Sequence, residues 1–115
     1  MSSENVAVVE RYLDAIRNKD LAAAPLAEDA RFEDPLVGAL AGRAAVLAFI
    51  SEFLPAINGV EVKRHVAEGE QVATLWHLDS AFGVVPIFEC FRVVDGEIVE
   101  ALAYFDPRPI LERAG

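Results

Sequence analysis

The chain has 115 residues, 54% of them apolar, and a formal net charge of −9. That length forms one domain around a single core, and so apolar a composition excludes disorder. The acidity, with ten lysines and arginines scattered along the chain, excludes nucleic acid as a partner, because phosphate binding needs clustered cations.

No apolar run approaches the roughly 20 residues of a membrane span. The opening "MSSENVAVVERY" has neither the basic start nor the apolar core of a signal peptide. A cytoplasmic protein without membrane contact is therefore expected. Cys90 is the only cysteine, so no internal disulfide can form. His65, His77 and Cys90 lack the spacing of a zinc site.

The first segment, "SSENVAVVERYLDAIRNKD", reads as an amphipathic helix capped by Ser2 or Ser3. Val6, Val9, Leu13 and Ile16 recur at helical spacing, and Tyr12 borders that stripe. "LAAAPLAEDA" reads as a short second helix started or broken by Pro25, and "ARFEDP" as a brief extended piece that ends at its proline. "LVGALAG" is expected to be a loop. "RAAVLAFISEFLPAI" follows as a third helix, with Val46, Leu47, Ile50, Phe53 and Leu54 on its buried side.

From Val60 the apolar period becomes two. Four strands are expected, in "VEVKRHVAE", "QVATLWHLDSA", "VVPIFECFRVV" and "EIVEALAYFD", with "DG" as a hairpin turn and "RPILERA" as a closing helix. Helices first and strands after predict an α+β fold, an antiparallel sheet curled over a helical layer.

Alternation sorts the strand residues into faces. Val85, Ile87, Glu89, Phe91 and Val93 share one, where Glu89 is a lone acid on an apolar row. A carboxyl desolvated there keeps its proton and donates hydrogen bonds. An arginine partner or an edge position is the plainer alternative. On the next strand Val99, Ala101, Ala103 and Phe105 share a face, and two alanines leave a cavity unless Phe49 and Phe53 fill it. In "ARFEDPLVG", Glu33 and Asp34 point to opposite sides.

The succession "VVERYLDA", "KDLAAAPLAEDARFEDP", "GRAAVLAFISEF" and a final "DGEIVEALAYFDP" spans nearly the whole chain. It resembles the nuclear-transport-factor-2-like superfamily, the cone-shaped, cystatin-like fold of SnoaL-like polyketide cyclases and ketosteroid isomerases. That resemblance implies a single such domain over residues 1–115, a curved antiparallel sheet packed against N-terminal helices, and no cofactor. It implies Asp34 as general base, with Tyr12 and a protonated Glu89 as oxyanion donors, following the pattern established for ketosteroid isomerase. Trp76, Val85, Phe91, Ala101, Ala103 and Phe105 would be the apolar walls around an apolar carbonyl ligand.

One register question stays open. The isomerases have proline, an apolar residue and then the acid, whereas "PIFEC" inserts Phe88. Either Phe88 takes the acid's place and Glu89 points outward, or a bulge near Pro86 restores the match. The superfamily's epoxide hydrolases need two aspartates and an arginine where this chain has Trp76, Leu78 and Ala103, which disfavours that reaction. A proton-transferring isomerase, a polyketide cyclase-like enzyme and a non-catalytic ligand-binding or dimerisation module remain. A homodimer through the outer sheet face, with Phe88, Cys90, His77 and Val84, is expected under each.

Overall fold

The computed structural model describes residues 2–114. Its elements in chain order are α1 (Ser2–Arg17), β1 (Leu26–Asp34), β2 (Gly38–Ala41), α2 (Arg43–Phe53), β3 (Ile57–Glu68), β4 (Gln71–Ser80), β5 (Gly83–Val94), β6 (Glu97–Tyr104) and α3 (Arg108–Ala114). The strands form one curved, unclosed sheet in the order β2-β1-β6-β5-β4-β3. Helix α1 lies mainly over β3 and α2 over β1, so both helices cover the same concave face.

Helix α1 buries Val8, Val9, Tyr12, Leu13, Ala15 and Ile16. Tyr12 therefore belongs to the buried stripe and not to its border. The helix already includes Ser2 and Ser3, so its N-cap falls outside the described residues. Helix α2 buries Val46 and Ile50 fully, and Pro55 stands in the 3-10 turn Leu54–Ala56 that ends it.

Two expectations fail before α2. "LAAAPLAEDA" holds only the 3-10 turn Leu21–Ala23, and from Leu26 the chain is strand β1. The expected loop contains the short edge strand β2, antiparallel to β1. Alanine and glutamate are good helix formers, but tertiary pairing overrides such a local preference. The Arg43 guanidinium supplies part of that pairing, donating to the carbonyls of Ala22, Ala24 and Leu26. A helix would have satisfied those oxygens internally, and in the extended chain the Arg43 guanidinium does so instead.

The sheet is mixed and not purely antiparallel. Strand β1 runs parallel to β6, while the other four pairings are antiparallel. The β3–β6 meander matches the four strands read from the sequence, although β3 begins three residues earlier, at Ile57. Between β5 and β6, Asp95 and Gly96 both have positive φ, at 51° and 79°, as a tight hairpin turn requires.

The β4–β5 ladder is unbroken from Gln71↔Arg92 to Ser80↔Gly83, so no bulge occurs near Pro86. Simple alternation turns Val85, Ile87, Glu89, Phe91 and Val93 inward, and Phe88 is 46% exposed. Glu89 faces the concave side without any correction of register. The irregularity in β5 lies on its other edge, at Arg92/Val93 against β6.

Because Arg43 donates to the carbonyls of Ala22, Ala24 and Leu26, Arg43→Met should cost about 1–3 kcal/mol of stability. Urea unfolding monitored by circular dichroism tests this, and an unchanged midpoint would contradict it.

Candidate active site

The concave face encloses a cavity of about 90 Å³. One water needs only roughly 10–15 Å³, so this is more than a packing defect. Tyr12 of α1, Asp34 at the end of β1 and Glu89 of β5 all line it, although they are far apart in sequence.

Sheet register explains their convergence. Glu89 faces Ala103 across the β5–β6 ladder, and Phe32 and Glu33 pair with Ala101 and Leu102. Continuing that register by one residue sets Asp34 beside Ala103. The two acids thus share a row on neighbouring sides of β6, and Ala103 leaves open the space between them. Glu33 points to the opposite face and is exposed.

Each polar group has a defined set of partners. The Oδ1 of Asp34 accepts from the backbone N–H groups of Leu36 and Val37, at 2.8 and 2.9 Å. This Asx turn follows from Pro35, and it leaves Oδ2 free for other work. Trp76 Nε1–H donates to Glu89 Oε1 at 3.1 Å. Glu89 has neither an arginine partner nor an edge position, and it is 2% exposed. The Tyr12 hydroxyl makes no hydrogen bond to any described residue. Its ring is fixed edge-on against Phe91, with centroids 5.6 Å apart.

Burial dominates the electrostatics. Desolvation pushes Glu89 up to about 8, opposed by the Trp76 hydrogen bond and helped by the charge of Asp34. Burial thus favours the protonated form of Glu89 at neutral pH. With Oε1 accepting from Trp76, its proton belongs on Oε2. Desolvation also raises Asp34, while the two backbone donors pull it back towards ionisation. Tyr12 is raised well above its usual value by burial and then by the nearby acids, which keeps its hydroxyl a donor.

Of the expected walls, Trp76, Ala103 and Phe105 line the cavity. Val85, Phe91 and Ala101 are buried beneath the lining, and Phe91 supports Tyr12 from behind. Phe49 and Phe53 do not fill the void above the alanines. They pack on each other, and Phe49 on Phe32, forming an aromatic wall at one side of it. The sequence reading missed Phe32, Phe82 and Ile110. Phe32 was within reach of alternation, since it lies two residues before Asp34, whereas Phe82 sits in a turn and Ile110 in α3. Among the described residues no cluster of three or more metal-ligating side chains occurs. No helix is long and apolar enough to cross a membrane.

An α+β cone whose helices close one face of a curved sheet is the architecture of nuclear-transport-factor-2-like proteins. The chain belongs to the SnoaL-like domain family, whose model matches residues 9–101. It is similar to the structure of a candidate ketosteroid isomerase from Kribbella flavida, with 26% identity and a TM-score of 0.82, over 91% of this chain and 79% of that one. An NTF2-like protein of unknown function from Cytophaga hutchinsonii shares the fold at 21% identity and a TM-score of 0.84, covering 93% and 94%. An LEH-like epoxide hydrolase from M. tuberculosis shares it at 24% and 0.76, covering 96% and 89%. No curated protein matches the chain.

The raised acid links Glu89 to stability. The folded state holds a proton up to about pH 8 that the unfolded chain releases above about 4.5, so stability falls as pH rises through that window. The slope is about 1.4 kcal/mol per pH unit. Glu89→Gln should remove it, so the variant gains on the wild type from pH 5 to pH 8 in urea unfolding. Parallel stability profiles would contradict a protonated Glu89.

Proposed function

We propose that the protein moves a proton within a compact, uncharged carbonyl compound, shifting a double bond through an enolate. The observation that carries this reading is the convergence of two unlike acids on one apolar cavity, Asp34 accepting from two backbone N–H groups and Glu89 bonded only to the Trp76 indole. Pairs of titratable groups driven apart in this way serve as separate base and acid.

In this reading Asp34 Oδ2 takes the proton from the carbon beside the carbonyl, and its electron pair moves onto oxygen. The Tyr12 hydroxyl and the Glu89 carboxyl donate to that oxygen as charge develops. Asp34 then returns the proton to the far carbon of the conjugated system, so atoms and charge balance without an added reactant. Both donors sit among apolar walls, where such hydrogen bonds count for most.

No lysine, arginine or histidine lines the cavity, so an anionic substrate would meet Asp34 uncompensated. The volume also favours a small ligand, since the pockets that hold drug-sized compounds measure roughly 300–1,000 Å³. Epoxide hydrolysis of the LEH type lacks support. Trp76, Leu78 and Ala103 all line the cavity, and none brings the charged groups that reaction requires.

Conversion of cyclohex-3-enone to its conjugated isomer, followed by ultraviolet absorption, tests the proposal. Asp34→Asn should lose about 10²–10⁴ of the rate and Tyr12→Phe about 10²–10³. Binding without turnover would leave a ligand-binding module instead.

The same reading includes a homodimer through the outer sheet face. Leu75 pairs with Phe88 and Phe88 with Tyr104, forming an exposed apolar row. Such a contiguous patch marks an interaction surface. His77 and Cys90 are only partly exposed on that face, while Val84 is 59% exposed. Phe88→Glu should give a monomer in sedimentation equilibrium where the wild type is a dimer, and a monomeric wild type would remove the dimer.

A further inference from the structure

The acids of the proposed chemistry stand at one end of the cavity, beside Ala103. From Glu89, strand β5 runs back through Ile87 and Val85 to the β4–β5 turn at Ala81 and Phe82. Strand β6 runs on from Ala103 through Tyr104, and Phe105 then leads to α3. Both paths reach the other end of the cavity. Ile57 pairs with Ser80 there, and Phe82 and Ile110 complete the lining. This end offers a ligand little but hydrocarbon. The Ser80 hydroxyl is committed to the turn, donating to the Gly83 carbonyl at 2.9 Å and accepting from the Phe82 N–H at 3.1 Å.

Ile110 is unusual among the residues of this wall. It is 4% exposed, yet among the described residues it stands apart from the continuous core that the other buried apolar side chains form. Between Arg108 and Arg113 it is the one buried residue, and Leu111 beside it is exposed.

A defined turn presents it. Asp106 Oδ1 accepts from the Arg108 N–H at 3.0 Å, and the Pro107 carbonyl accepts from the N–H groups of Ile110 and Leu111 at 3.1 and 2.9 Å. Arg113 Nη1 lies 3.5 Å from the Ala81 carbonyl, a weak bond that sets α3 alongside the β4–β5 turn. A helix this short has little stability of its own, so the seating of Ile110 is what holds it across the cavity's end. The cavity of about 90 Å³ is also smaller than the roughly 150 Å³ of an apolar cavity that holds a benzene ring. There is room for one small ring at most, and a longer ligand meets Ile110.

We propose that Ile110 is the stopper that sets ligand length. The site then takes a carbonyl compound with one polar head, held at the acids, and a compact apolar remainder that ends against α3. Ile57 and Ser80 belong to sheet ladders, where a smaller side chain would loosen core packing. Ile110 lies outside that core, so trimming it lengthens the cavity towards solvent and leaves the sheet in place. The proposal rests on the reading of this cavity as a ligand site headed by Asp34, Tyr12 and Glu89, and its test does not depend on turnover.

Trp76 is the only tryptophan and lines the cavity, so quenching of its fluorescence reports occupancy. The experiment titrates the wild type, Ile110→Ala, Ile110→Val and Leu111→Ala with cyclohex-2-enone and with an octalone, the same enone fused to a second ring. The wild type should bind the octalone about tenfold more weakly than the single ring, or worse. Ile110→Ala should bind the octalone about tenfold tighter than the wild type does, since one methylene in an apolar pocket is worth roughly 10–200-fold. Its affinity for cyclohex-2-enone should change less than about threefold. Ile110→Val should fall between the two, and it carries the test if Ile110→Ala does not fold. Leu111→Ala, altered on the exposed side of α3, should match the wild type. Octalone affinity no higher in the folded Ile110 variants than in the wild type would overturn the stopper and leave Ile110 as an anchor for α3. An equal gain in Leu111→Ala would overturn it too, because a loosened helix would then account for the effect. Absence of quenching by either enone in every protein would remove the ligand site and the stopper with it, whereas binding without turnover would remove only the proton transfer.

Discussion

A carboxyl group buried without a counter-cation governs the concave face. Glu89 is enclosed on an otherwise apolar row, and its one described hydrogen bond comes from the Trp76 indole. An ionised carboxylate in that place would be costly, and the group keeps its proton instead. The other features of the site follow from this. A neutral acid can sit across Ala103 from Asp34 without two negative charges opposing each other. It can also donate where a carboxylate could only accept.

Asp34 is held to the opposite role by local geometry. Pro35 forces a turn, and the turn aims the N–H groups of Leu36 and Val37 at one oxygen of the acid. Burial raises both acids, and only Asp34 has backbone donors that pull it back towards ionisation. Tyr12 completes the set from a helix, with Phe91 fixing its ring. The three polar groups of the site stand on the sheet and on α1.

Much of this was legible in the sequence because period-two alternation survives intact where it mattered. Glu89 could be assigned to the same face as Val85 and Phe91 by counting alone, and the unbroken β4–β5 ladder preserves that count. Counting also separated Glu33 from Asp34. The failures have physical causes. Residues 26–30 are rich in helix formers, and the partners that favour the strand are distant in sequence: Arg43 on the Leu26 carbonyl, Gly42 on the Ala30 carbonyl, and strand β6. The parallel pairing of β1 with β6 joins the two ends of the fold and leaves no local signature. His65 was set aside because it belongs to no metal-site spacing, and the one-residue slip at Lys63 that turns it to Thr74 is invisible in composition. Cavity walls were half right for a similar reason. Alternation gives the face of a residue but not whether a helix covers it, so Val85, Phe91 and Ala101 are buried without reaching the cavity.

Family membership fixes the cone and leaves its chemistry open, since one fold hosts many activities. What distinguishes this chain is the ionisation of its two acids, and that can be observed without knowing a substrate. The most direct measurement is infrared difference spectroscopy between the wild type and Glu89→Gln at neutral pH. The account predicts the carbonyl stretch of a protonated carboxylic acid in the wild type, missing from the variant and fading above about pH 8. A wild-type spectrum at neutral pH with only carboxylate bands would contradict it.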